Sequence, residues 1–216
     1  MPVYQFGGGR PVIDSTSFVH PQAVVVGHVS IGPGCFIGPG AVLRGDWVAI
    51  SLEAGSNVQD SCTIHGAPGT EVVLGPDSHL GHGCIVHGAR LEENVLVGMN
   101  AVVLDDAVLG SGCIVGSGCV VPGKFIVPAG KVVVGVPARI VGDVSAEQAR
   151  DKRRGTRWYQ QLAQRCLFDL REVPLSECML SHQVWPAMAS LRERLSWVQE
   201  LADLCPGAQD QDESAI

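Results

Sequence analysis

Aliphatic residues return at every sixth position over most of this chain. Ile13, Val19, Val25, Ile31, Ile37 and Leu43 open the series, Leu52, Val58 and Ile64 resume it, and Leu74, Leu80 and Val86 follow. A last run of Leu91, Val97, Val103, Leu109, Val115, Val121, Val127 and Val133 completes it. Glycine often comes next, as in Ile37-Gly38, Leu80-Gly81 and Val97-Gly98. An amphipathic helix would space its apolar positions three and four apart, and an ordinary half-buried strand would alternate them. A sustained period of six instead predicts a hexapeptide-repeat parallel β-helix. Each hexad gives a short strand and a turn, and three hexads close one triangular coil. The aliphatic side chain points inward and stacks on its equivalent one coil above. A single coil buries too little to stand alone, so stability grows by stacking.

The period breaks at three places. Leu43 to Leu52 exceeds one hexad by three residues, Ile64 to Leu74 by four, and Val86 to Leu91 falls one short. The second break predicts a loop near residues 67–71. All three breaks flank one polar cluster, and loops on a rigid scaffold are where binding sites concentrate. After Pro137 the period ends. Ser145-Ala146-Glu147-Gln148 reads as a capping box that starts a helix. Leu162, Cys166 and Leu170, with Trp158 and Tyr159, supply that helix with an apolar stripe. A second helix is expected over about residues 185–204. The expected organisation is therefore all-β with C-terminal α-helices: a β-helix over 1–142, a helical region over 143–205, and a disordered tail over 206–216.

Composition narrows this picture. With 27 glycines, 5% aromatic residues and 46% hydrophobic residues, the chain is too apolar for disorder and suits a thin core of small units. A net charge of −7 argues against a nucleic-acid partner. Eight cysteines include no C-x-x-C pair, which argues against a structural zinc knot. Cys35, Cys62, Cys84, Cys113 and Cys119 each fall four residues after an inward aliphatic, where Ala41, Ala101 and Ala107 stand in other hexads. They are expected to fill a small buried slot. Neither a secretory signal nor a bilayer-spanning stretch is visible, so a reducing cytoplasmic setting and no membrane partner are expected.

The candidate chemistry lies in Arg44-Gly45-Asp46, Asn57-Val58-Gln59-Asp60, and His65, His82 and His87. Leu43, Ile64 and Val86 lie 21 and 22 residues apart, one coil plus an inserted loop, and should stack on one face. Arg44, His65 and His87 then project outward in a column. Neighbouring strands lie about 4.8 Å apart, close enough for two imidazoles to converge on one ion. His82 belongs to the previous face, so a threefold assembly is needed to bring it against the other two from a neighbouring chain. Three neutral nitrogens with an open fourth position is the layout of a catalytic zinc site. Gln59 is placed to hold the water, Arg44 and Asp46 to form an ion pair within or between chains, and Asn57 and Asp60 to orient their neighbours. His20, His28, His79 and His182 are expected to be unremarkable surface histidines.

These motifs resemble the γ-class carbonic anhydrase family of hexapeptide-repeat proteins. Leu43-Arg44-Gly45-Asp46, His79-Leu80-Gly81-His82, Leu96-Val97-Gly98-Met99-Asn100-Ala101 and Gly155-Thr156 with Tyr159-Gln160 resemble, in particular, its branch linked to phenylacetate degradation and the carnitine operon. The resemblance covers residues 2–159. It implies left-handed coils and a homotrimer with Zn2+, Fe2+ or Co2+ at each subunit interface. His65 and His87 would come from one chain and His82 from the next. It further implies hydrolysis of acyl-CoA thioesters by metal-activated water in phenylacetate catabolism. Hydration of CO2 to bicarbonate and hexapeptide acyltransfer are the alternatives. The chain departs from the archetype at Trp47, which stands where a proton-shuttling glutamate is expected. Trp47 and Tyr159 are candidates for an apolar wall of the substrate pocket.

Overall fold

The structure, a computed structural model, describes residues 2–178. The second helix expected near 185–204, the tail expected from 206, and His182 lie outside the described residues. The coils and the first helix as far as Phe168 form one compact unit.

That unit is a left-handed parallel β-helix. One face is a ladder of Phe18–Val19, Phe36–Ile37, Asn57–Val58, His79–Leu80, Leu96–Val97, Ile114–Val115 and Lys131–Val134, all parallel. The antiparallel strand Arg139–Asp143 closes that face at its last rung. The next face pairs Leu43 with Ile64, Ile64 with Val86, Val86 with Val103, and Val103 with Val121. The third stacks Leu52, Leu74, Leu91, Leu109 and Val127. The inward residues are almost all fully buried, which is the six-residue period made physical. Burying each such side chain contributes about 1.5–3 kcal/mol.

The glycine after the inward residue has a steric cause. Its amide reaches the coil above, as Gly81 N does to Val97 O at 2.9 Å and Gly98 N to Val115 O at 2.7 Å. A Cβ on Gly98 would stand 2.6 Å from Ser117 N. The five cysteines occupy the expected slot, each at most 1% exposed. Several donate their S–H to a carbonyl of the next coil: Cys62 to Gly81 at 3.2 Å, Cys84 to Gly98 at 3.0 Å, Cys113 to Pro128 at 2.9 Å.

Helix α1, Ala146–Asp169, starts at the expected capping box. Ser145 N donates to Gln148 Oε1 at 2.9 Å, and Gln148 N to Ser145 Oγ at 3.1 Å. Its apolar stripe is shorter than the sequence suggested. Tyr159, Leu162, Ala163 and Cys166 pack on Phe18 and Phe36, whereas Leu170 lies beyond the helix and is exposed. Trp158 also turns outward, with Arg154 5.5 Å from its ring centre. Much of the docking is polar. Lys152 Nζ donates to Asp77 O and, at 2.7 Å, to Asn94 Oδ1. Gln160 Nε2 donates to Gly55 O at 3.2 Å and Asp77 Oδ1 at 2.8 Å. Gly55, Asp77 and Asn94 all have positive φ, so the helix rests on one column of turns.

Candidate metal centre and adjoining cleft

The ladder brings His65 and His87 onto adjacent rungs, their ring centres 5.3 Å apart. Below them, strand Val42–Leu52 bends around a corner at Arg44-Gly45-Asp46. Gly45 makes this corner possible, because a Cβ there would stand 2.7 Å from the backbone oxygen of His28. Arg44 and Asp46 therefore sit on either side of the bend and close a ring with His65. Arg44 Nη1 donates to Asp46 Oδ2 at 2.7 Å, Arg44 Nη2 lies 3.2 Å from His65 Nδ1, and His65 Nε2 lies 2.9 Å from Asp46 Oδ1. A guanidinium only donates, so this contact makes His65 Nδ1 the acceptor and puts the proton on Nε2. Burial acts to raise the Asp46 carboxyl, but the hydrogen bonds from Arg44 and His65 and the guanidinium charge hold it below the usual carboxylate range. The exposed Trp47 ring lies 5.6 Å from that of His65.

His87 Nδ1 lies 2.8 Å from Asp105 Oδ1, one coil above. On the other face, His82 Nδ1 lies 3.3 Å from Asp60 Oδ2. A carboxylate at Nδ1 leaves Nε2 as the electron-pair donor, the usual support for a metal-ligating histidine. The donor set thus fits a zinc-like ion. His65 presents a lone pair at Nε2 only in its other tautomer, with the proton on Nδ1, so both the Asp46 and the Arg44 contacts to its ring must be given up. Among the described residues, no three His, Cys, Asp or Glu side chains of one chain converge on a common point. A centre built on these three histidines therefore needs a second copy.

The remaining candidates gather elsewhere. Gln59, His79 and His82 line a cleft of about 590 Å³ between the first face and α1. Leu96, Met99 and Ile114 form much of its floor, and Lys152, Trp158 and Tyr159 its helical wall. Gln59 is buried, and its Nε2 donates to Asn57 Oδ1 at 3.1 Å. Gln59, Asp60, His82 and Tyr159 thus meet on one side of the coil stack. Arg44, Asp46, Trp47, His65 and His87 meet on another.

Sequence reasoning missed three residues here. Asp105 stands one regular coil, 18 residues, beyond His87, so the ruler that paired the histidines would have found it. His79 is not the surface histidine expected. It contacts Gln59, packs edge-on against Tyr159 at 5.4 Å, and is largely enclosed. Burial, aided by the nearby Lys152 and His82 charges, pushes its pKa down to about 4. Lys152 is buried in the same wall, and burial brings its pKa down to about 8.

Comparison with known proteins places this architecture. The family described as bacterial transferase hexapeptide (six repeats) matches residues 10–45 and 88–123. The carnitine operon protein CaiE of Escherichia coli K12 is 42% identical over 172 residues, 80% of this chain and 88% of that one. A hexapeptide transferase family protein from Anaplasma phagocytophilum superposes with a TM-score of 0.73 at 31% identity, covering 75% of this chain and 96% of that one. The BC4754 gene product of Bacillus cereus superposes with a TM-score of 0.74 at 30% identity, covering 75% and 94%.

Proposed function

Because the chain belongs to the CaiE family of γ-carbonic anhydrase-like hexapeptide-repeat proteins, we propose that it is a metal-dependent hydrolase of acyl-CoA thioesters, working as a homotrimer. The observation that carries this reading is the cleft beside His82. At about 590 Å³, walled by Leu96, Met99, Ile114, Trp158 and Tyr159, it has the size and apolar character of a site for an organic ligand. A CO2 molecule would occupy a small corner of it.

In this reading the metal is held by His65 and His87 of one chain and His82 of the next. When bound, it supplies Lewis acidity toward the thioester carbonyl and makes the attacking water acidic enough to react near neutral pH. Asp105 and Asp60 hold His87 and His82 by Nδ1 and fix which nitrogen is offered. Arg44 keeps Asp46 ionised at the corner beside His65. Gln59 holds the attacking water. Met99, Trp158 and Tyr159 receive an aromatic or ring-derived acyl group, such as those of phenylacetate catabolism, and exclude bulk water. Trp47 adds an apolar surface beside His65. Water adds to the carbonyl carbon, the carbon–sulfur bond breaks, and a carboxylate and free thiol leave.

The test is thiol release from a panel of acyl-CoAs by protein loaded with Zn2+ or Fe2+. Release with aromatic acyl groups supports the reading, and no release from any thioester overturns it. A second reading, CO2 hydration, draws on the same three histidines and is decided by stopped-flow hydration. The match to the hexapeptide transferases keeps acyltransfer as a third. Thiol release that depends on an added amine or alcohol acceptor would select it.

A further inference from the structure

A carboxamide is two-ended. Whichever end is anchored, the other is presented to the surroundings. Gln59 is 3% exposed, and its NH2 end meets two partners, Asn57 Oδ1 at 3.1 Å and the Nε2 of His79. The Asn57 oxygen can only accept. Oε1 is therefore the end of Gln59 left for the cleft that Gln59 lines.

The fold builds this contact deliberately. Parallel register sets His79 beside Asn57 and Leu80 beside Val58, so the imidazole comes from the rung directly above the Asn57–Gln59 segment. Tyr159 of α1 braces the ring edge-on, at 5.4 Å and 86°. A neutral imidazole keeps one lone pair, and a protonated one would repel the amide N–H. Enclosure under α1 favours the neutral ring. With Nε2 accepting, the single ring proton resides on Nδ1, which is buried without a partner among the described residues.

We propose that His79 is a positioning residue: by accepting a hydrogen bond from Gln59 Nε2, it fixes the carboxamide with Oε1 toward the cleft, as the acceptor for a proton of the attacking water. This rests on the reading of Gln59 as the residue that holds that water. His79 acts through Gln59, so its loss lowers kcat and leaves KM nearly unchanged.

Three variants separate the hydrogen bond from the packing. His79→Phe keeps a ring against Tyr159 but offers no acceptor. His79→Asn ends about where Nδ1 stands. His79→Gln ends about where Nε2 stands and can accept from Gln59. The expected result is a kcat about tenfold lower for H79F and H79N with KM within about twofold, and substantial recovery in H79Q. H79Q as impaired as H79F overturns the proposal. A second readout is independent of catalysis. In protein labelled with 15N-glutamine, the Gln59 NH2 signal, identified by its loss in Q59E, should keep its position in H79Q and move in H79F. An unmoved signal in H79F overturns the proposal whatever the thioester assay shows. A moved signal with no thioester hydrolysis in the wild type supports the positioning and removes the proposed reaction instead.

Discussion

Gly45 is the residue whose replacement should damage both fold and site. Its Cα faces the backbone of strand Val24–Ile31, with Gly27 as its register partner. An alanine Cβ would stand 2.7 Å from His28 O, 2.9 Å from His28 C and 3.0 Å from His28 N. All three are backbone atoms of strand Val24–Ile31, at the point where its register with strand Val42–Leu52 shifts, so no side chain can swing aside. Overpacking of this kind costs about 1–3 kcal/mol, and a backbone obstacle places Gly45→Ala in the upper half. For a chain of this length that is a fall of about 5–10 °C in Tm. Gly142→Ala is the matched control, because no described residue comes within 4 Å of its Cβ position and its φ is unstrained. It should stay within about 0.5 kcal/mol of the parent. The assay is denaturant or thermal unfolding of both variants by circular dichroism under identical conditions. Because the bend carries Arg44 and Asp46, G45A should also weaken metal binding in a chelator competition. A G45A protein as stable as G142A would refute the reasoning.

Three further predictions follow from single contacts. Asp105→Asn should weaken metal binding about 10–100-fold, measured by chelator competition, because it removes the charge that steadies His87; stability should change by less than about 0.5 kcal/mol, since Asp105 lies on the outer surface. Cys35, Cys62, Cys84, Cys113 and Cys119 should resist an aromatic disulfide reagent in the folded protein and react after denaturation, as buried thiols do, and rapid labelling of any of them in the native state would contradict the packing. Lys152 has a folded pKa of about 8 against an ordinary 10.5, so between those values the unfolded chain binds more protons and stability rises with pH. That rise, up to about 3 kcal/mol in urea unfolding from pH 7.5 to 10.5, should vanish in Lys152→Met, and an unchanged pH dependence would sink the assignment.

The sequence made the coil stack legible because every inward position repeats the same demand for a small aliphatic side chain. Leu43, Ile64 and Val86 then served as a ruler, and the adjacency of His65 and His87 followed from counting. Asp105 is within reach of the same count but does not stand out, because acidic and amide residues are ordinary at β-helix turns; its neighbour Asp106 has φ +61° for that reason. The enclosure of His79 is illegible in the sequence for a different cause. Its burial depends on α1, which reaches it from 80 residues further along through Tyr159, and no local pattern encodes that docking. The helix shows the same limit. Its apolar spacing announced Leu162 and Cys166, but the hydrogen bonds of Lys152 and Gln160 to turn residues are tertiary and left no periodic trace.

In the proposed trimer one metal site draws His65 and His87 from one chain and His82 from its neighbour. Metal content of mixed trimers tests it directly. Homotrimers of His82→Ala or of His87→Ala should each lose the site. Trimers assembled from equal amounts of the two chains should regain about a quarter of wild-type metal per chain, because one interface in each mixed trimer joins an intact His65/His87 pair to an intact His82. Mixed trimers that bind no more metal than either variant alone, or an H82A trimer that keeps one ion per chain, would contradict it.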